Sequence, residues 1–166
     1  MKLFAVNGLD EELSGMLTDM ARAIALDVGD KTIGVAWSDE EARLAFPGET
    51  IIREEGYRRD MRRIVNLIDK LNPEVIVVGL PLMLDGTSGR QVEKVRDFIS
   101  QLRRYTCLPI YEQDERLTTG EAHRTLEIAG KRNSERKTVI DSVAACLILQ
   151  SFLERKIETP KMDNET

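Results

Sequence analysis

Three acidic positions stand at the edges of apolar segments, where a carboxylate is costly. They are Asp27 in AIALDVGDKTIGVA, the pair Asp114 and Glu115 in PIYEQDERLTT, and Asp141 in KTVIDSVAACLIL. An acid in such a place must be paired, hydrogen-bonded or bound to a cation. Acids at the ends of different strands and at a helix start can converge on one divalent metal site. Sites of that kind hydrolyse phosphodiesters, because the ion activates water and stabilises the leaving oxygen.

Each acid also has a plainer reading. Asp27 can open a turn by bonding the backbone that follows it, while Gly29 lets that backbone bend tightly and leaves room for a phosphate. Thr138 and Asp141 have the spacing of a capping box, and an acid in a first turn suits the helix dipole. Asp114 and Glu115 can form a local ion pair with Arg116, ahead of a second cap signal from Thr118 to Glu121. In a metal site the same two acids would ligate and Arg116 would hold a phosphate oxygen.

Other candidates carry less. The loop GLPLMLDGTSG over 79–89 is glycine-rich and precedes a helix capped by Ser88 and Gln91, a place where phosphate can bind. It lacks the G-K-[ST] ending of a P-loop. His123 is the sole histidine and reads as a surface residue, so no Cys/His cluster can hold zinc. Trp37 reads as packing, with base stacking as the alternative. Cys107 and Cys146 read as reduced core residues of a cytoplasmic protein.

The elements that must position these groups follow from hydrophobic periodicity. Residues 23–28 and 32–37 read as a hairpin joined at Gly29-Asp30. Residues 44–52 read as a third strand, placed at an edge by Pro47-Gly48. Met61, Ile64, Val65, Ile68 and Leu71 mark one face of a helix that Asn72-Pro73 ends. Residues 75–78 read as a central parallel strand. A second helix carries Val92, Val95, Phe98, Ile99 and Leu102, and 108–111 reads as a fifth strand. A third helix is expected over about 119–129 and a largely apolar, buried one over about 139–153. This order predicts an α/β fold, a mixed five-stranded sheet of an antiparallel meander followed by β-α-β-α, with helices on both faces. In such sheets ligands bind beyond the carboxyl ends of the strands. Asp27, Gly79 and the Asp114-Glu115 pair all fall there.

The chain has 166 residues, 42% of them hydrophobic, and a formal net charge of -5. That length predicts one domain over 21–155, an N-terminal extension over 1–20 and a tail over 156–166. No stretch approaches a membrane span, and the start does not read as a signal peptide. The negative balance argues mildly against a nucleic-acid binder. Two local runs oppose it: REEGYRRDMRR over 53–63 and KRNSERK over 131–137. Solvated surface charge explains them equally well.

Taken together, ALDVGDKTIGVA, VIVVGLPLMLDGTSG, DERLTTGEA and KTVIDSVAACLIL resemble the YqgF/RuvX family of Holliday-junction-resolvase-like proteins, also described as pre-16S rRNA nucleases. Four motifs in the right order cover about residues 22–155. The resemblance implies an RNase H-like fold. Carried over residue by residue, it implies Asp27, Glu115 and Asp141 as metal ligands, with Asp114 as an alternative or additional carboxylate. It places Arg116 near the scissile phosphate and matches Lys31 and Thr32 to the polar pair after the first aspartate. True resolvases of this fold carry a glutamate at the end of the fourth strand. Gly79 stands there in this chain, so the acid must come from the next strand.

The resulting expectation is a Mg²⁺- or Mn²⁺-dependent nuclease acting on structured nucleic acid in the cytoplasm, trimming the 5′ end of pre-16S rRNA. Basic side chains of 58–63 and 131–137, among them Lys131, Arg132, Arg136 and Lys137, would hold flanking phosphates. The rivals are a dimeric four-way junction resolvase with the same metal chemistry, a non-catalytic RNA- or polymerase-binding factor, and a phosphotransferase. The last needs two such domains, and this chain supplies one.

Overall fold

The computed structural model describes residues 22–83, 85, 89–117 and 134–158, the last helix without the side chains at its two ends. The 1–20 extension, the helix expected over 119–129, Thr118, Glu121, His123, Lys131, Arg132, Ser88 and residues 159–166 lie outside them, as do the side chains of Arg136 and Lys137.

Five strands form one sheet in the order β3-β2-β1-β4-β5. β1 (Ala23–Val28) and β2 (Thr32–Ser38) make the expected hairpin. Its turn is closed by the Gly29 N–H donating to the Thr32 carbonyl at 2.8 Å. β3 (Ala45–Ile52) is the edge strand that Pro47 predicted, since proline cannot donate to a ladder on both sides. Gly48 lies under the Trp37 ring, only 2.4 Å from where a Cβ would stand. Trp37 is therefore a packing residue.

β4 (Val75–Leu80) is buried throughout and pairs parallel with β1 on one side and β5 (Ile110–Asp114) on the other. β5 begins two residues later than its apolar run suggested and extends further. Pro109 has no N–H, so the ladder starts after it, and pairing with Leu80 carries the strand through Asp114.

The two faces differ in side-chain size. Ile24, Leu26, Ile33, Val35, Ile76 and Val78 build a deep core under α1 (Tyr57–Leu71) and α2 (Arg90–Leu102). Each such aliphatic contributes about 1.5–3 kcal/mol on burial. Ala23, Ala25 and Ala36 line the opposite face and let α3 (Ser134–Glu158) lie close to the strands through Ala145, Ile148, Leu149 and Phe152.

Four expectations change. α3 starts at Ser134, so Thr138 is inside the helix rather than its cap. The polar run before it contains good helix formers that prolong the helix backwards. Nor is α3 buried all round: Val139 is 62% exposed. On α1, Asp60 is buried at 1% exposure among the expected apolar positions. Finally, Cys107 is exposed, while Cys146 is half-buried against the small-residue core; both thiols are free. Among the described residues no helix is long and apolar enough to cross a membrane.

Candidate active site

Asp27 is the next-to-last residue of β1 and is half-buried. Side chains alternate along a strand, so Asp27 shares the α3 face with Ala23 and Ala25. Its cross-strand partner is Gly34. A Cβ at Gly34 would stand 1.9 Å from the Asp141 carbonyl oxygen and 2.4 Å from its carbon. The absent side chain is what allows the α3 backbone to rest on β2 beside Asp27. Asp141 is then fixed by a second contact, its Oδ2 accepting a 2.7 Å hydrogen bond from Thr32 Oγ1. Thr32 and Asp141 are 109 residues apart in sequence.

On the other side of Asp27 lies β4. Leu26 pairs with Val78, which brings Gly79 level with Asp27 on the neighbouring strand, about 4.8 Å away. A Cβ at Gly79 would meet Glu115 Oε1 at 2.6 Å and Ile148 Cδ1 at 2.5 Å. Glu115 opens a short 3₁₀ turn, Glu115–Leu117, directly after β5. That turn swings its carboxylate back over Gly79. The two glycines thus flank Asp27 and admit one acid each.

Asp114 belongs elsewhere. It pairs with Leu80, whose side chain lies in the α1/α2 core, so alternation sends Asp114 away from Asp27. Its carboxylate accepts two bonds at 3.0 Å from Arg116 Nε and one at 2.6 Å from Nη2. The Arg116 guanidinium holds the Asp114 carboxyl below its ordinary value, with a smaller contribution from Arg155. Arg116 is therefore engaged with Asp114. Lys31 is exposed on the hairpin turn at the same end of the sheet as Asp27.

Two supports escaped the sequence reading. Arg53, just past β3, donates from Nη1 to the Gly29 carbonyl at 2.7 Å and from Nε to Asp60 at 2.9 Å. Its backbone N–H donates to the Lys31 carbonyl at 2.9 Å. It thereby ties the turn after Asp27 to α1. The run REEGYRRDMRR shows only that charges of both signs are near one another, not that one pair is buried. Gln113 is fully buried beside Gly79 on the α3 face, and its Oε1 accepts from Arg155 Nη2 at 2.8 Å. No sequence signal joins these two residues.

The donors around Asp27 are all oxygen, the kind that suits Mg²⁺ or Mn²⁺. Among the described residues, no three His, Cys, Asp or Glu side chains form a group able to hold an ion as they stand. The fit therefore lies in the backbone placement of Asp27, Asp141 and Glu115 around one strand end, not in a closed coordination shell.

A family model described as RuvX, Holliday junction resolvase, matches residues 21–155. Curated relatives carrying the name "Putative pre-16S rRNA nuclease" include one from Lachnospira eligens, 46% identical over 137 residues, which span 81% of this chain and 98% of that protein. Another, from Beijerinckia indica subsp. indica, is 38% identical over 144 residues, 87% of each chain. Among solved structures, T. thermophilus RuvC in complex with Holliday junction substrate superposes with a TM-score of 0.55 at 14% identity, covering 81% of this chain and 95% of that one. The yeast mitochondrial Holliday junction resolvase gives 0.52 at 14% identity, over 89% and 85%. At that identity the likeness establishes the fold, which is RNase H-like.

Proposed function

The chain belongs to the family whose model is described as RuvX, and on that footing we propose that it is a divalent-metal-dependent nuclease that trims the 5′ end of pre-16S rRNA. The observation that carries the reading is the pair of glycines beside Asp27. Gly34 admits the Asp141 backbone and Gly79 admits the Glu115 carboxylate, so three acids from three elements approach one strand end. Choosing rRNA over a DNA junction follows the names of relatives as much as 46% identical; the junction-cutting structures share only 14%.

Asp27, Asp141 and Glu115 would hold Mg²⁺ or Mn²⁺, which when bound supplies a nucleophilic water and charge neutralisation at the leaving oxygen. Thr32 orients the Asp141 carboxylate by its hydrogen bond. Arg53 holds the turn that carries Lys31, and Lys31 would meet a phosphate flanking the scissile bond. Asp114 and Arg116 act as a pair that secures the strand end from which Glu115 departs.

The test is cleavage of two labelled substrates, a 16S rRNA 5′ precursor and a DNA four-way junction, with Mg²⁺, with Mn²⁺ and with chelator, using wild type and Asp27→Asn. Metal-dependent trimming of the RNA, lost in the variant, supports the reading. Symmetric junction cuts would replace it with a resolvase. RNA binding without cleavage in both proteins would replace it with a non-catalytic factor.

A further inference from the structure

α1 presents a basic surface that the fold does not use. Its inner face carries Met61, Ile64 and Leu67, with Asp60 committed to Arg53. Its outer face carries Arg58, Arg59, Arg62, Arg63 and Lys70, all exposed. Arg59 pairs with Glu54. Among the described residues, Arg58, Arg62, Arg63 and Lys70 enter no ion pair. Four unpaired cations on one 15-residue helix contrast with a chain whose net charge is -5.

The surface is shaped as well as charged. An open groove separates α1 from the edge strand β3. Arg63, Asn66 and Lys70 form its helical wall, spaced three and four residues apart and hence aligned on one side of the helix. Leu67 and Ile51 lie at its floor, and Glu49 and Thr50 belong to the opposite wall. Glu49 makes no ion pair with the cations facing it.

Its direction is set by two hydrogen bonds. The start of α1 is held near the turn after Asp27 through Arg53 and the Gly29 carbonyl. Its end is held near the start of β1, where Arg22 Nη1 donates to the Leu71 carbonyl at 3.1 Å. The basic row therefore begins at the end of the sheet that carries the candidate active site, on the opposite face, and runs back along the sheet edge. From Arg58 to Lys70 it spans about 18 Å at 1.5 Å per residue, long enough to meet several successive phosphates.

We propose that the groove between α1 and β3 is a track for the phosphodiester backbone of the nucleic acid flanking the cleaved bond, gripped by Arg63 and Lys70 with Arg58 and Arg62 along its outer rim. This rests on the nuclease reading and adds where the uncleaved part of the substrate runs. No aromatic side chain lines the groove, so the contacts follow the backbone and not the bases.

Salt-dependent binding tests the track. The anisotropy of a labelled 16S rRNA 5′ precursor is followed from 50 to 200 mM salt in chelator, where no cleavage confuses it. In Arg63→Gln/Lys70→Gln the slope of log K against log salt becomes shallower by about 1.4, two phosphates at ~0.7 each for single-stranded nucleic acid. The charge-keeping pair Arg63→Lys/Lys70→Arg restores it. Arg103→Gln/Arg104→Gln, with the same loss of charge just beyond α2, leaves the slope as in wild type. An unchanged slope in the groove variant, or an equal change in the Arg103/Arg104 variant, overturns the proposal. Cleavage is scored in parallel: metal-dependent cleavage with an unchanged slope removes the groove alone, whereas no binding by wild type removes both the groove and the nuclease reading.

Discussion

The Glu115 carboxylate occupies the space that a side chain on residue 79 would fill, its Oε1 2.6 Å from the position of a Cβ on Gly79. An acid just past a strand end and a glycine on the neighbouring strand have become one feature: the acid is supplied by the turn after β5 and seated on β4. Gly79→Ala separates seating from folding. The atoms in the way, Glu115 Oε1 and Ile148 Cδ1, are the far ends of flexible side chains and can give. Thermal denaturation should show a loss near the lower end of the roughly 1–3 kcal/mol typical of overpacking. Cleavage should fall much further than that loss predicts, because Glu115 is pushed away from Asp27. A variant that cleaves at the wild-type rate would mean that this seat does not matter.

Glu115 and Asp114 are adjacent yet serve opposite faces, so their amides should behave differently. Glu115→Gln should lower metal-dependent cleavage by at least about a hundredfold, more than the 10–100-fold cost of losing a residue that merely supports a ligand. Asp114→Asn should keep most of the activity and lose a modest increment of stability with the Arg116 bonds. Parallel rate measurements on the two variants decide it, and the reverse order would return the ligand role to Asp114.

The sheet and the strand order were legible because strands such as Val75–Leu80 are wholly apolar and Pro47 confines β3 to an edge. Which of two adjacent acids faces Asp27 was not legible, because it depends on register. Pro109 delays the start of β5, and only the pairing of Leu80 with Asp114 assigns the faces. The cap reading of Thr138 and Asp141 failed for a related reason. Local spacing fits a capping box, but the helix begins at Ser134, and the partner of Asp141 is Thr32 on a distant strand. Asp60 was hidden because an acid among four arginines looks solvated until its burial is seen.

Gly34 offers a sharper test of packing than Gly79. A Cβ there would meet backbone atoms of Asp141 at 1.9 and 2.4 Å, and backbone cannot rotate away. Gly34→Ala must lift α3 from β2, so the cost should reach or exceed the top of the roughly 1–3 kcal/mol range for overpacking. The Thr32–Asp141 hydrogen bond should be lost with it. Urea denaturation measures the first effect, and the amide shifts of Thr32 and Asp141 report the second. Wild-type stability would show that the helix does not rest on this strand.

The Asp114–Arg116 pair predicts a small dependence of stability on acid. Arg116 lowers the folded-state value of Asp114. The pair's contribution is therefore fully present above the unfolded carboxyl value, near 3.9, and is lost as pH falls through the lower folded value. Arg116→Gln should cost stability at pH 7, and the difference from wild type should shrink at pH 3 and below. Because both side chains are partly exposed, at 20% and 34%, solvent screening should keep the effect small. Urea melts at the two pH values check it; a difference that grew on acidification would have the wrong sign.

Arg53 joins three parts of the molecule, and its loss should be felt in all of them. It carries the buried partner of Asp60, whose side chain is 1% exposed while that of Arg53 is 18% exposed. It also donates to Gly29 and lies 5.8 Å from the Tyr57 ring centroid and 5.6 Å from that of Phe98. Arg53→Met keeps the packing length but leaves the Asp60 carboxylate uncompensated, and breaking such a pair from one side costs about 3–5 kcal/mol. The double variant Arg53→Met/Asp60→Leu removes both charges and should recover much of that loss. It should not recover cleavage, because the Gly29 carbonyl still lacks its anchor and the turn presenting Lys31 is no longer held. Stability measured with activity across the two variants separates the roles. If activity returns together with stability, Arg53 serves the fold alone and the turn after Asp27 needs no support from α1.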